Sequence, residues 1–88
     1  MEDFSIYQNY PNPFNSTTTF AFELFKPGNV NLTIYNLRGQ EIKVLIDKYC
    51  LPGKINFKWD HKNLSSGIYF YQIKFGNYSK TKKFIVQN

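Results

Sequence analysis

The chain is poor in the residues that would staple a small domain or bend it toward helix. Cys50 is its single cysteine in 88 residues, so an intrachain disulfide and a cysteine-based zinc set are excluded. Stability therefore comes from packing, and a lone Cys between Tyr49 and Leu51 reads as a partly buried small hydrophobe. Ala and Met occur once each, and against abundant Asn, Thr, Ile, Phe and Tyr that scarcity disfavours helix and favours half-buried strands. No run approaches the roughly 20 apolar residues that span a bilayer as a helix. No basic segment followed by an apolar one opens the chain, so export would require a longer precursor, with Met1 an added start. Acidic groups are also few: six Asp and Glu face eleven Lys and Arg, for a net charge of +5. That balance fits nucleic acid, anionic lipid, acidic glycan or plain solubility.

What the chain has instead is aromatic area. Seven Tyr, nine Phe and one Trp bring large apolar surfaces into a core that a single domain of this length can barely build. Turn signals partition the rest. Pro27-Gly28 and Pro52-Gly53 have the Pro-Gly order of a type II turn, in which Gly supplies the positive φ. Gly76-Asn77 reads as a tight hairpin loop with primed geometry, Gly39 as the left-handed position of a longer loop, and Asp60 to Gly67 as a polar loop.

Between the turns the apolar residues alternate. Phe20, Phe22 and Leu24 share one face, as do Val30, Leu32 and Ile34, then Ile42, Val44 and Ile46, then Ile55, Phe57 and Trp59. In the next segment Tyr69, Tyr71, Ile73 and Phe75 look inward, and in the last Phe84 and Val86 do, with Lys83 and Ile85 outward. Period two over so many consecutive segments means strands with one buried face. With a short opening strand from Phe4 to Gln8 the count is seven. The expected fold is an all-β, seven-stranded antiparallel immunoglobulin-like β-sandwich in one domain, residues 1–88.

The raw material for catalysis is thin. His61 beside Asp60 is the one acid–base pair, and it sits at a strand end where Asp and its neighbour cap turns. Glu2, Asp3, Glu23, Glu41 and Asp47 are scattered singly, which provides no calcium loop or acid pair. No glycine-rich phosphate loop or nucleophile elbow is present. The chain reads as a non-enzyme with no metal and no cofactor. Lys80, Lys82 and Lys83 cluster on the last strand, where lysine discourages edge-to-edge association; a solvated edge strand is favoured over a nucleic-acid platform, which would need solvent-facing aromatics beside the lysines. Outward Tyr35, Ile68, Phe70 and Ile85 need a cover or a partner and point to a docking surface. Four Asn-x-Ser/Thr sequons, at Asn15, Asn31, Asn63 and Asn77, read as coincidence in an Asn- and Thr-rich chain.

Periodicity does not explain Tyr7-Gln8-Asn9-Tyr10-Pro11-Asn12-Pro13-Phe14-Asn15. Two prolines flanking Asn12 form an extended, hydrogen-bond-poor strap that cannot enter a sheet interior. Continued through Ser16-Thr17-Thr18-Thr19-Phe20, the segment resembles the opening of type IX secretion C-terminal sorting domains. Three further blocks are similar in order and spacing, from Gly28 to Ile42, Pro52 to Asp60 and Leu64 to Gly76, followed by Thr81 to Val86. Ser16 stands where the family often has Pro, and His61 where it often has Gly. The middle blocks alone are also similar to the immunoglobulin-like domain of flagellar hook-capping proteins.

The resemblance implies a C-terminal signal domain cut from a longer secreted precursor. Its partners would be an N-terminal cargo domain, the type IX translocon and a sortase-like peptidase, with cleavage just before Phe4. The destination would be the cell surface or the medium, by way of the periplasm and the outer membrane. Carried over residue by residue, Pro11, Asn12 and Pro13 shape the strap, Gly39 permits the central turn, Gly67 and Tyr69 form a Gly-x-Tyr element, and Lys83 lies in the terminal motif. Tyr69 has a purely structural alternative as a tyrosine corner. Lys80, Lys82 and Lys83 are expected to form the docking face, and the domain is expected to be a monomer with no nucleic-acid partner. Two rival readings stand beside this one: a structural assembly module, and a glycan binder with Tyr35 and Phe70 stacking on sugar rings.

Overall fold

Seven strands form in the computed structural model, which describes residues 4–14 and 16–87. They are β1 (Phe4–Ile6), β2 (Thr17–Leu24), β3 (Gly28–Tyr35), β4 (Glu41–Cys50), β5 (Gly53–Asp60), β6 (Gly67–Phe75) and β7 (Tyr78–Val86). Met1, the Glu2 and Asp3 carboxylates and the Asn15 sequon lie outside the described residues. No helix is present among the described residues, as the composition requires. The strands make two antiparallel sheets, ordered β1-β2-β5 and β4-β3-β6-β7. The fourth strand thus joins the sheet of β3, β6 and β7, where constant-type immunoglobulin domains place it beside the fifth.

The inner faces supply one core. Phe20, Phe22, Leu24, Val30, Leu32, Ile34, Tyr71, Ile73, Phe84 and Val86 are all buried, on the parity that their strands predict. Cys50 is buried among them as a small apolar side chain. Phe84 is the hub. The rings of Phe14, Phe20, Trp59, Tyr69 and Tyr71 lie 5.6, 5.8, 6.3, 5.6 and 5.9 Å from it, the spacing at which edge and offset contacts are favourable.

Four expectations fail, each for a local reason. The opening strand ends at Ile6 rather than Gln8; Tyr7 still donates its N–H to the Ala21 carbonyl at 3.0 Å, and the chain then leaves for the strap. In β4 the alternation does not persist, because the pairing with β3 shifts register at Leu32/Thr33 and again at Ile34/Tyr35. Each shift is a bulge that turns the next side chain over, so Ile46 is buried while Val44 and Ile42 stay exposed and Leu45 packs against the core instead. Gly28 does not carry the positive φ of a type II turn. It opens β3, and a Cβ there would come within 2.7 Å of the Phe75 ring, so Gly is required by close approach rather than by backbone angle. The fourth failure, the hydrogen-bond-poor strap, belongs to the next section. The hairpin at Gly76-Asn77 forms as expected, with Phe75 opposite Tyr78 and a φ of 59° at Gly76.

Candidate recognition surface

Residues 7–14 run from the end of β1 across to the edge of β7, tying the two sheets together. Both proline peptide bonds, Tyr10-Pro11 and Asn12-Pro13, are cis. On the β2 side Tyr10 and Thr19 exchange backbone hydrogen bonds at 3.0 and 2.8 Å. On the β7 side the strap adds a short parallel bridge between Phe14 and Val86. There the Phe14 N–H donates to the Ile85 carbonyl at 3.1 Å and the Gln87 N–H to the Phe14 carbonyl at 2.7 Å. Proline cannot extend such a ladder, and the side chain between the two prolines takes over: Asn12 Oδ1 accepts the Ile85 N–H at 2.9 Å. Upstream, Gln8 Nε2 donates to the Lys83 carbonyl at 3.0 Å. The strap stays out of the sheet interior as expected, but it is densely hydrogen-bonded, because its amides stand in for the donors and acceptors a strand would provide.

Two residues beneath the strap were not singled out by pattern. Asn9 is buried, with its backbone N–H donating to the Tyr71 hydroxyl at 3.1 Å and its Nδ2 to Thr18 Oγ1 at 3.0 Å. The Tyr71 hydroxyl in turn donates to the Tyr7 carbonyl at 2.9 Å. Burial holds that phenol neutral, pushing its pKa up to about 12 against the opposing pull of the Asn9 N–H. Thr18 Oγ1 donates to the Pro11 carbonyl at 2.9 Å, so a buried polar chain links β6, β2 and the strap. Phe14, also missed by alternation, is the strap's apolar anchor and stacks on Phe84. An aromatic right after a Pro-x-Pro was the only hint in the sequence.

Strand registers place the expected recognition residues. Pro11, Asn12 and Pro13 are exposed, with Pro11, Pro13 and Phe14 lining a depression of about 390 Å³ with Gln87. Gly39, at φ 81°, sits in a loop organised by Asn36, whose Oδ1 accepts the Arg38 and Gln40 N–H groups at 2.9 and 3.0 Å. A second depression of about 320 Å³ lies between that loop and Ser66–Tyr69. Gly67 pairs with Val86, the bridge partner of Phe14, so the strap, the Gly39 loop and the Gly67–Tyr69 element gather at one end of the sandwich. Tyr69 forms the tyrosine corner: its hydroxyl donates to the Ser65 carbonyl at 2.7 Å while its ring stacks on Phe84. The structure separates the three lysines. Lys83 is exposed on the outer face opposite Phe70, beside the strap. Lys80 and Lys82 share the parity of Phe84 and are half-buried at the edge of the sandwich, with Lys80 Nζ 5.3 Å from the Phe4 ring. The loop after β5 caps itself as expected: Asp60 Oδ1 accepts the Lys62 N–H at 3.1 Å, and His61 Nδ1 that of Leu64 at 3.1 Å.

No group of three or more His, Cys, Asp or Glu side chains converges among the described residues. What the arrangement presents is a shaped, rigid, partly basic surface. A family model described as a secretion system C-terminal sorting domain matches residues 8–87. A search of curated proteins returns no match.

Proposed function

The chain belongs to the family of secretion system C-terminal sorting domains, and from that premise we propose that it is the terminal sorting module of a longer cargo protein. The role is that of a signal for type IX secretion, not of a catalyst, and it directs export across the outer membrane to the surface or the medium. Residues 1–88 belong to one signal domain, and a sortase-like peptidase of the same system removes it after transit. The translocon reads one composite surface: the exposed Pro11-Asn12-Pro13 strap together with the neighbouring Lys83 and the Gly67–Tyr69 element.

The observation that carries this reading is that the strap is fastened to the C-terminal strand by Asn12 and Phe14. A folded tag must present a fixed shape, and here the least strand-like segment and the last strand are made into one rigid unit. Lys83 supports it with a charge on the same outer edge.

The test fuses residues 1–88 behind a periplasm-targeted fluorescent reporter in a bacterium with a working type IX system, with a translocon-null strain as control. Reporter reaching the surface or medium only in the intact strain is the expected result. Lys83→Glu, with the melting curve unchanged, should then reduce export several-fold. Reporter held in the periplasm of both strains, with the domain folded, would remove the sorting reading and leave the assembly module in its place.

A further inference from the structure

Two open sheets have four edge strands, and here they are β1, β5, β4 and β7. Exposed edges invite pairing with another chain unless they are short, bulged, charged or covered. β1 has three residues, β4 carries two register shifts, and β7 has the strap along its C-terminal half. β5 is neither short, bulged nor covered, and only the charges of Lys54, Lys58 and Asp60 guard it. It runs eight residues in unbroken register with β2, from Thr17 opposite Asp60 to Leu24 opposite Gly53. Among the described residues its other edge is paired with no strand, and Ile55 and Phe57 remain half-buried beside it.

The order of side chains on that edge is self-complementary. Two copies of β5 laid antiparallel with Phe57 on the twofold axis place Lys54 opposite Asp60, Ile55 opposite Trp59 and Asn56 opposite Lys58, each pair occurring twice. A shift of two residues in one direction sets Lys54 against Lys58, and in the other sets Lys58 against itself. Like charges directly opposite are destabilising, and a shift of one residue would turn the apolar set to the wrong face. Of these registers, only the centred one pairs unlike charges and keeps Ile55, Phe57 and Trp59 in phase along the full strand.

We propose that the domain forms a symmetric dimer through β5, joining two three-stranded sheets into one of six strands. The contact is isologous, so it closes on itself and does not propagate. β7 and its strap lie along the other side of each copy, next to β1 through the Lys80–Phe4 contact, and stay free. The lysines on β5 therefore act as register selectors as well as solubilising groups. This departs from the monomer expected at the outset, and it does not depend on the sorting role.

The test is sedimentation velocity on the purified domain and on two charge variants. The wild type should show a reversible dimer that dissociates on dilution. Lys54→Asp faces Asp60 with Asp, and Asp60→Lys faces Lys54 with Lys. Each should weaken the homodimer roughly tenfold or more, because two favourable cross-strand pairs become two repulsive ones. Mixed together, the variants recreate both pairs in a heterodimer and should associate at the wild-type level. Asp60 also caps the turn at Lys62, so melting curves check each fold. Lys54→Asp stands as the test alone if Asp60→Lys does not fold, provided its melting curve shows it folded, since Lys54 lies opposite Glu23 in the β2–β5 ladder and its ammonium is 5.3 Å from the Tyr7 ring. A wild type that stays monomeric at about 1 mM, a dimer that Lys54→Asp leaves untouched, or folded variants that fail to associate on mixing would each overturn the proposal.

Discussion

The two long sides of the sandwich are finished in different ways. On the β1/β7 side a strap crosses between the sheets, with buried Asn9 and Phe14 under it and side-chain amides completing the ladder of β7. On the β4/β5 side the short Leu51-Pro52 link crosses between the sheets at one end, and beyond it an open groove of about 520 Å³ runs between the strands, lined by Leu45, Ile46, Cys50, Ile55 and Phe57. The strapped side is locked by specific polar contacts, each needing a particular residue. The open side relies on bulges and charges, which tolerate exchange. A recognition surface gains from the first kind of edge because its shape does not drift, whereas an interface between copies needs the second. If that contrast is right, equivalent substitutions on the two sides should cost very different amounts.

The largest difference is expected between two phenylalanines. Phe84 is fully buried under five rings, and Phe84→Ala should cost about 3–5 kcal/mol, a large share of the roughly 5–15 kcal/mol that holds a domain folded. Phe57, half-buried on the open groove, should cost about half as much on truncation, since part of its surface is already wet. Denaturant midpoints of the two variants decide it. Equal losses would mean that the groove is as much part of the core as the strapped side.

Tyr71 sharpens the comparison through pH. Tyr71→Phe keeps the ring but removes the hydroxyl that serves both the Tyr7 carbonyl and the Asn9 N–H. Leaving two groups under the strap unpaired should cost about 1–3 kcal/mol. In the wild type the folded phenol titrates near 12 against 10.0 for the unperturbed group. Its neutral form is favoured by folding, so this stabilisation is complete below pH 10 and drains away as pH rises toward 12, by up to about 2 kcal/mol. Stability measured from pH 9 to 12 should fall more steeply for the wild type than for Tyr71→Phe. Parallel curves would show that the hydroxyl is not held as described.

Most of the fold was legible because period two is a strong signal when one segment after another carries it. The core of β2, β3 and β6 follows from parity alone. β4 was misread because a bulge leaves no mark on hydrophobicity: Ile42 and Val44 keep the alternating pattern while the register beneath them slips. Gly28 was misread because a Pro-Gly pair has the same appearance whether Gly is needed for its φ or for its missing Cβ. Gly28→Ala tests that difference and should cost about 1–3 kcal/mol through contact with the Phe75 ring; a neutral result would mean that the ring swings away freely. Of the recognition residues, the motif identified the strap but not what fastens it. Asn9, Thr18 and Tyr71 meet across 62 residues of sequence, and no local pattern encodes a hydrogen bond of that span. The three lysines looked alike in sequence, yet one step of alternation puts Lys83 on the other face from Lys80 and Lys82.

The smallest effect on stability is expected at Asn12, and it bears most directly on how the strap is held. Asn12 is exposed, so when Asn12→Ala removes the acceptor at Ile85, water can take its place and the loss should be only about 0.5–1 kcal/mol. The local consequence should be larger than the global one. Freed from a fixed acceptor, the Ile85 N–H should exchange with solvent about tenfold faster, while amides in the β2–β5 pairing keep their wild-type rates. Asn12→Asp supplies an equivalent acceptor oxygen and should restore the slow exchange at Ile85. The matching change on the open side, Asn56→Ala, should alter neither stability nor exchange by a measurable amount in the dilute monomer, because no contact of its side chain fixes the edge of β5. If Ile85 exchanges no faster in Asn12→Ala, the strap is held by Phe14 and Asn9 alone, and Asn12 is left free to meet a partner directly.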